Sequence, residues 1–72
     1  MKIYTIHAQS RDGGERVPLK REKCTKDEAM LAAWRVSTSA TLCDIVLTLG
    51  SKHVVTYSKG FITHVNGKEY KP

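Results

Sequence analysis

Apolar and polar residues alternate along most of this chain, which is the spacing of a β-strand. Residues 2–9 alternate in this way, and further strands are predicted at residues 16–23, 42–49, 53–58 and 61–65, with a short last pairing at residues 69–70. Polar or glycine-containing turns separate most of them, and Asn66-Gly67 is the strongest short hairpin signal. Pro18 lacks an N–H for strand pairing, so we expect its strand at a sheet edge. The strand at residues 42–49 is expected to be central.

One segment, residues 25–37, has helical spacing instead. Thr25 followed by Glu28 predicts a capping box, in which each side chain accepts from the backbone N–H of the other residue. At about 100° per residue, one broad apolar arc is formed by Ala29, Met30, Ala33, Trp34 and Val36. The small alanines in its middle predict a helix that lies close on a sheet, and Trp34 is expected to be its largest contact.

The predicted element order is strand, edge strand, helix and three-stranded meander. This order favours an α+β fold, with a single helix packed on a four- to five-stranded antiparallel sheet in the order β-β-α-β-β-β. Residues 1–72 then form a single domain. A helix of about twelve residues is roughly 18 Å long and covers only one face of such a sheet. The other face is therefore expected to be open.

The identity of the open face depends on the register of the meander, and the sequence leaves two alternatives. A three-residue turn at residues 50–52 pairs Leu47 with Val55 and Ile45 with Tyr57, whereas a two-residue turn pairs Leu47 with Val54 or Thr56. A slip of one residue exchanges the two faces. The open face then holds either Phe61, Val65 and Val54, or Tyr57, Ile62 and His64. It is a candidate surface for a partner or for a second copy of the chain, and the alternative is scattered exposed apolar residues.

Composition describes a small globular domain. The 72 residues are 40% hydrophobic and 26% charged, and the formal net charge is +5. No apolar run approaches the roughly 18 residues of a membrane span, and the N-terminus alternates where a signal peptide would have an apolar core. We therefore expect a cytoplasmic protein, with a mild preference for acidic partners such as nucleic acid.

A basic tract at residues 11–26 is the main candidate for binding. Its cations are Arg11, Arg16, Lys20, Arg21, Lys23 and Lys26. Strand alternation places Arg21 and Lys23 on one side and Lys20 on the other, so the tract is split between faces. Lys52, Lys59 and Lys68 in the meander turns extend the positive field if they lie at the same end as Arg11. The alternative is a solvated edge strand whose charges serve solubility.

The cysteines and histidines do not have the spacing of a reactive or metal-binding site. Cys24 and Cys43 lack the separation of a zinc or redox pair, and we expect both to be reduced. His7, His53 and His64 are scattered, so no metal site is predicted. No catalytic residue and no cofactor are predicted, because Asp27 and Glu28 are explained by the helix start.

The element order is similar to that of a known group of proteins. A strand and an edge strand, a helix that begins Asp27-Glu28-Ala29 and a three-stranded meander resemble several small phage-encoded inhibitors, including some type I-F anti-CRISPR proteins. The resemblance implies a protein that does no chemistry and occludes the DNA-binding path of a host complex, such as an RNA-guided surveillance complex. Many such inhibitors are acidic, whereas this chain is basic.

Two functional hypotheses follow. The first is a phage-type inhibitor that binds a host protein or ribonucleoprotein complex through the open sheet face and turn cations, in the host cytoplasm if phage-encoded. The second is a small sequence-independent binder of DNA or RNA that uses the basic tract. The first requires an apolar contact centre with a charged rim, and the second requires cations gathered on one face. The candidate binding residues are Arg11, Arg16, Lys20, Arg21, Lys23, Lys52, Tyr57, Lys59, Phe61 and His64.

Overall fold

A computed structural model describes residues 1–71 and confirms the predicted fold class. The described residues form one helix and an antiparallel sheet of six strands in the spatial order β2-β1-β3-β4-β5-β6. Pro72, which the predicted domain includes, lies outside them. The elements are β1 Lys2–Ser10, β2 Arg16–Cys24, α1 Lys26–Ser39, β3 Cys43–Leu49, β4 Lys52–Ser58, β5 Phe61–Val65 and β6 Lys68–Glu69.

The sheet order confirms two of the predicted strand positions. β2, which contains Pro18, lies at one edge, and β3 lies in the interior of the sheet. The strand count is slightly above the predicted four to five, because β6 pairs with β5 as a short separate strand after the Asn66-Gly67 turn. Both residues of that turn have positive φ, as a type I′ hairpin requires. No helix within residues 1–71 has the length and apolar character needed to cross a bilayer.

The helix begins at the predicted capping box. Thr25 Oγ1 accepts from the Glu28 backbone N–H at 3.2 Å, and the Thr25 N–H donates to Glu28 Oε1 at 3.2 Å. Two of the donors that every helix start leaves unpaired are thereby satisfied. At the other end, the Ala40 N–H donates to the Val36 carbonyl at 3.0 Å and closes the last turn.

The helix packs on the sheet through a stripe of small residues. Ala29, Ala33 and Ser37 follow one another at intervals of four, and all three are buried. Their short side chains let the helix backbone come close to β3 and β4. The Ser37 hydroxyl donates to the Trp34 carbonyl at 2.7 Å, so it is satisfied inside the core. The apolar arc predicted from the sequence did not include this polar residue.

The prediction that Trp34 is the main contact between helix and sheet is wrong. Its side chain is 42% exposed, and its indole Nε1–H donates to the Gly60 carbonyl at 2.9 Å. The close approach of the small residues leaves space for the large ring only at the flank, against the β4–β5 turn. Gly60 is required there, since its φ is +84° and an added Cβ would lie 3.2 Å from Thr38 Cγ2.

The core lies between α1 and the central strands. Its buried side chains are Tyr4, Ile6, Cys24, Ala29, Ala33, Ile45, Leu47, Val55 and Tyr57. Ile45 and Leu47 of β3 have no exposed surface, because the helix covers them from above and β1 and β4 flank them. Burial of such aliphatic side chains contributes about 1.5–3 kcal/mol each to the free energy of folding.

The residue pairs of the meander agree with one of the two predicted registers, but the turn that produces them has a different length. Leu47 lies opposite Val55 and Ile45 opposite Tyr57, as the three-residue turn predicted. The turn itself has two residues, Gly50 and Ser51, between the paired Leu49 and Lys52. A bulge between β3 and β4 at Leu47/Thr48 restores the pairing by leaving Val54 without an opposite residue.

A second bulge, in β5, makes both predicted sets for the open face wrong. Thr63 has no opposite residue, so the residues before and after it do not follow simple alternation. Ile62 and Val65 lie opposite Tyr57 and Val55 on the helix side. Phe61 and His64 share the other side of the sheet. Each predicted set is therefore divided between the two faces.

Leu47→Ala should lower the free energy of unfolding by about 2–5 kcal/mol, because it leaves a cavity in a fully buried position. Leu42→Ala removes the same atoms from a side chain that is 88% exposed, and it should change the free energy by less than about 0.5 kcal/mol. Urea titration followed by circular dichroism measures both values. Equal losses in the two variants would contradict the assignment of the core.

Candidate binding surface on the open sheet face

The sheet face opposite α1 carries most of the polar groups that could meet a partner. We call it the open face. The strand registers assign to it Ile3, Thr5, His7 and Gln9 of β1, Arg16, Pro18, Arg21 and Lys23 of β2, Asp44, Val46 and Thr48 of β3, His53, Thr56 and Ser58 of β4, Phe61 and His64 of β5, and Glu69 of β6. Its centre is therefore formed mainly by threonine and histidine.

Threonine hydroxyls position the histidines of the open face. His7 Nε2 lies 2.9 Å from Thr48 Oγ1, and His64 Nδ1 lies 3.0 Å from Thr63 Oγ1. His53 Nε2 lies 2.7 Å from Thr56 Oγ1. Each ring is thus held by a neutral partner, which fixes its orientation without supplying a charge.

His53 also fixes the turn that follows β5. The Gly67 backbone N–H donates to His53 Nδ1 at 2.7 Å, so Nδ1 is the acceptor and Nε2 carries the proton donated to Thr56. Burial, with smaller effects from His64 and Arg16, lowers the pKa of His53 below its usual value. Burial and Arg16 likewise lower the pKa of His7. Both histidines therefore stay neutral to a lower pH than a solvated imidazole does.

A shallow groove of about 270 Å³ crosses this face. Its lining residues are Gln9, Arg16, Asp44, Val46, His53, Thr56, His64 and Gly67. The Arg16 Nε–H donates to Gln9 Oε1 at 3.0 Å, and the Gln9 amide donates to the Gly14 carbonyl at 2.8 Å. These contacts hold the Arg16 guanidinium at the wall of the groove. Its positive charge therefore has a fixed position on the side of the groove that β2 forms.

The cations of β2 are divided between the two sides of the sheet, as alternation predicts. Arg21 lies opposite Thr5 and Lys23 opposite Ile3, which places both on the open face. Arg16 joins them only because a bulge in β2 leaves Leu19 without an opposite residue; simple alternation would place Arg16 on the helix side. Lys20 lies opposite Ile6 on the helix side and forms an ion pair with Glu22 at 3.1 Å. Three of the predicted binding residues are therefore gathered on one face, and Lys20 is excluded from it.

Arg11 has a structural role. Its Nε–H donates to Asp44 Oδ1 at 3.0 Å, one terminal nitrogen donates to the Thr41 carbonyl at 2.8 Å, and the other donates to the Cys43 carbonyl at 3.4 Å and the Ser58 hydroxyl at 3.3 Å. These bonds join the β1–β2 turn, the α1–β3 loop and the end of β4. We therefore leave Arg11 out of the candidate surface.

The remaining predicted binding residues are dispersed. Lys52 lies at the β3–β4 turn, at the opposite end of the sheet from Arg11, whereas Lys59 lies at the β4–β5 turn near Arg11. Tyr57 is buried under the helix, where no partner reaches it. Phe61 is 76% exposed, and His64 is exposed on the same face of β5. Phe61 is therefore the aromatic residue that remains available for binding.

The sulfur and imidazole groups are not assembled into one cluster. Within residues 1–71, no group of three histidine, cysteine or carboxylate side chains could hold a metal ion. Both cysteines are free, and they lie opposite Lys2 and Ser10 on β1, roughly 26 Å apart along the strand. Burial raises the pKa of the Cys24 thiol, which keeps it protonated.

The spacing of His7 and His53 predicted no metal site, and the groove that His53 lines was not predicted from the sequence. The sequence does carry a signal of a polar face, because each of three neighbouring strands places a threonine on it, at Thr5, Thr48 and Thr56. Polar β-branched residues at such positions are typical of a sheet face in contact with water.

The stability of the protein should decrease as the pH falls below about 6.5, the usual pKa of histidine. The folded pKa of His53 is lowered, so the unfolded chain binds more protons in this range. Stability is therefore greatest above the unfolded pKa and is lost as the pH falls through the folded one. In His53→Gln the dependence of melting temperature on pH between 7 and 5 should be flatter.

His64→Gln is the matched control for this measurement. It removes only the second cause of the lowered His53 pKa, so most of the pH dependence should remain. If His64→Gln flattened the curve more than His53→Gln does, burial of His53 would not be the main cause.

Comparisons of the chain with protein family models, with curated proteins and with solved structures gave no match. The similarity to small phage inhibitors accordingly stays a prediction.

Proposed function

We propose that this chain is a binding protein without catalytic activity that contacts nucleic acid through its open face, independently of sequence. The observation that supports this function best is the position of Arg16, Arg21 and Lys23 on the face that the helix leaves uncovered. Cations gathered on one face were the requirement of this hypothesis. The apolar residues of this face do not form the centre that the inhibitor hypothesis requires, because Val46 in the middle is buried and the exposed Ile3 and Phe61 lie toward opposite ends of the sheet.

The charges of this face suit phosphate contacts. The chain has a formal net charge of +5, and long side chains on one edge strand can follow an irregular backbone. Phosphate contacts of this kind supply affinity and carry no sequence information. The acids of the open face are limited in effect, because Asp44 is paired with Arg11 and Glu69 lies on the far edge strand.

The chemistry of the face favours binding over catalysis. Among residues 1–71, no hydrogen bond to a carboxylate orients His7 or His53, and His53 Nε2 carries the ring proton, so it cannot take a proton from the Thr56 hydroxyl. The buried thiol of Cys24 belongs to the core on the opposite side. We propose a cytoplasmic location and no cofactor.

The inhibitor hypothesis is the second candidate, and the exposed apolar residues at one end of the sheet favour it. Leu42 and Phe61 are strongly exposed apolar residues at the end of the sheet that also carries Lys59. Exposed apolar side chains with a charged neighbour are typical of a contact with a protein partner. In this hypothesis the chain docks on a host nucleic-acid-handling protein or ribonucleoprotein complex and occludes its path, as the resemblance to anti-CRISPR proteins implies.

A second copy of the chain suits the open face less well. A symmetric dimer would bring the cations of two β2 strands onto one interface with a polar centre, and like charges would then repel one another. We therefore rank a homodimer through this face below both candidates.

Nucleic-acid binding should depend on salt according to the number of phosphate contacts. Three contacts to a 20-nucleotide single strand predict a log-log slope of affinity against salt of roughly −2, and Arg21→Gln with Lys23→Gln should flatten it by about 1.4. Lys20→Gln is the matched control, because it removes one charge of the same strand on the helix side. Fluorescence anisotropy of a labelled strand measures the affinity of the wild-type protein, the double variant and the control at each salt concentration.

Two results would favour the inhibitor over this proposal. The first is weak binding of the strand at physiological salt in the wild-type protein. The second is capture of a partner complex that survives nuclease treatment and is lost in Phe61→Ala, while the β2 variants change mainly the association rate.

A further inference from the structure

The open face carries two exposed rings on β5, Phe61 and His64. The cations of β2 lie on the same face, at the other side of the sheet. We propose that the nucleic acid bound there is single-stranded, with bases stacked on Phe61 and His64 and phosphates held by Arg16, Arg21 and Lys23. This inference rests on the proposed function and specifies its partner.

The β5 bulge is what places both rings on this face. Phe61 lies opposite Ser58 and His64 opposite Thr56, and the unpaired Thr63 lies between them. Without the bulge, residues three apart on a strand would point to opposite sides. Phe61 is 76% exposed, which leaves most of its side chain accessible to a base. Base stacking tolerates any sequence because every base has a π-face.

The groove, which Arg16 lines at one side and His64 at the other, offers hydrogen-bond donors. Thr56 Oγ1 accepts from His53 Nε2, so the hydroxyl hydrogen of Thr56 is available to an acceptor on a ligand. Arg16 uses its Nε–H for Gln9, and its terminal nitrogens have no hydrogen-bond partner among residues 1–71. A volume of about 270 Å³ between these groups suits a unit of nucleotide size.

The spacing of the elements also favours a strand laid across the sheet. Four strand spacings separate β2 from β5, a distance of roughly 19 Å. A strand of a few nucleotides spans this distance. Phosphates near one end of the strand then lie at β2, and bases near its other end lie at β5. In a duplex the bases are stacked inside the helix, where Phe61 and His64 cannot reach their faces, and only the phosphate contacts remain.

The test compares a labelled 20-nucleotide oligo(dT) with a 20-base-pair duplex, both titrated with the full chain at one salt concentration. We expect the single strand to bind at least tenfold more tightly. Phe61→Leu keeps an apolar side chain but removes the ring, and it should weaken binding of the single strand by about 5-fold to 150-fold, the range measured for one stacked base. Phe61→Tyr keeps the ring and should retain binding.

Leu31→Ala, on the exposed side of α1, is the control for the loss of an exposed apolar residue, and it should bind like the wild-type protein. Thermal melts verify that each variant is folded. Equal affinity for duplex and single strand, or wild-type affinity in Phe61→Leu, would overturn the inference. If salt-dependent binding persisted in either case, the proposed function would stand without it, whereas the absence of binding to both probes would refute both.

Discussion

The close packing of α1 on β3 and β4 is the contact on which the rest of the structure depends. Small residues at Ala29, Ala33 and Ser37 bring the helix close enough to exclude water from Ile45 and Leu47. A chain of 72 residues has a single small core, and this contact forms it. Since one helix covers one face only, the same contact determines that the opposite face stays in water.

The composition of the open face follows from that exposure. Thr48 and Thr56 at its centre are buried, and threonine provides there the branching of valine, which favours extended backbone, together with a hydroxyl that can pair with a neighbouring side chain. The hydroxyls in turn hold the histidine rings at fixed positions. The requirement for a stable strand and the requirement for an ordered polar surface are thus met by the same residues, Thr48 and Thr56.

Three bulges determine which side chains the chain can offer to a partner. The one at Leu19 of β2 brings Arg16 to the face of Arg21 and Lys23. The one at Val54 restores the burial of Val55 and Tyr57 after a tight turn, and the one at Thr63 turns Phe61 and His64 to the same side. Bulges are frequent where a strand must redirect a side chain next to a functional site. In this chain they separate the apolar residues of the core from the rings that the proposed function uses.

The sequence by itself determined the elements and their order, because period, capping and turn residues are local signals. The capping box at Thr25, the edge position of the Pro18 strand and the split of Lys20 from Arg21 all follow from residues close together in the chain. Tertiary structure decided the rest. Bulges depend on how neighbouring strands twist and pair, so alternation could not assign Phe61, and the exposure of Trp34 depends on how closely the helix approaches. The use of Arg11 as a clamp and the assembly of the groove join residues more than 25 positions apart, and such contacts leave no periodic signal in the sequence.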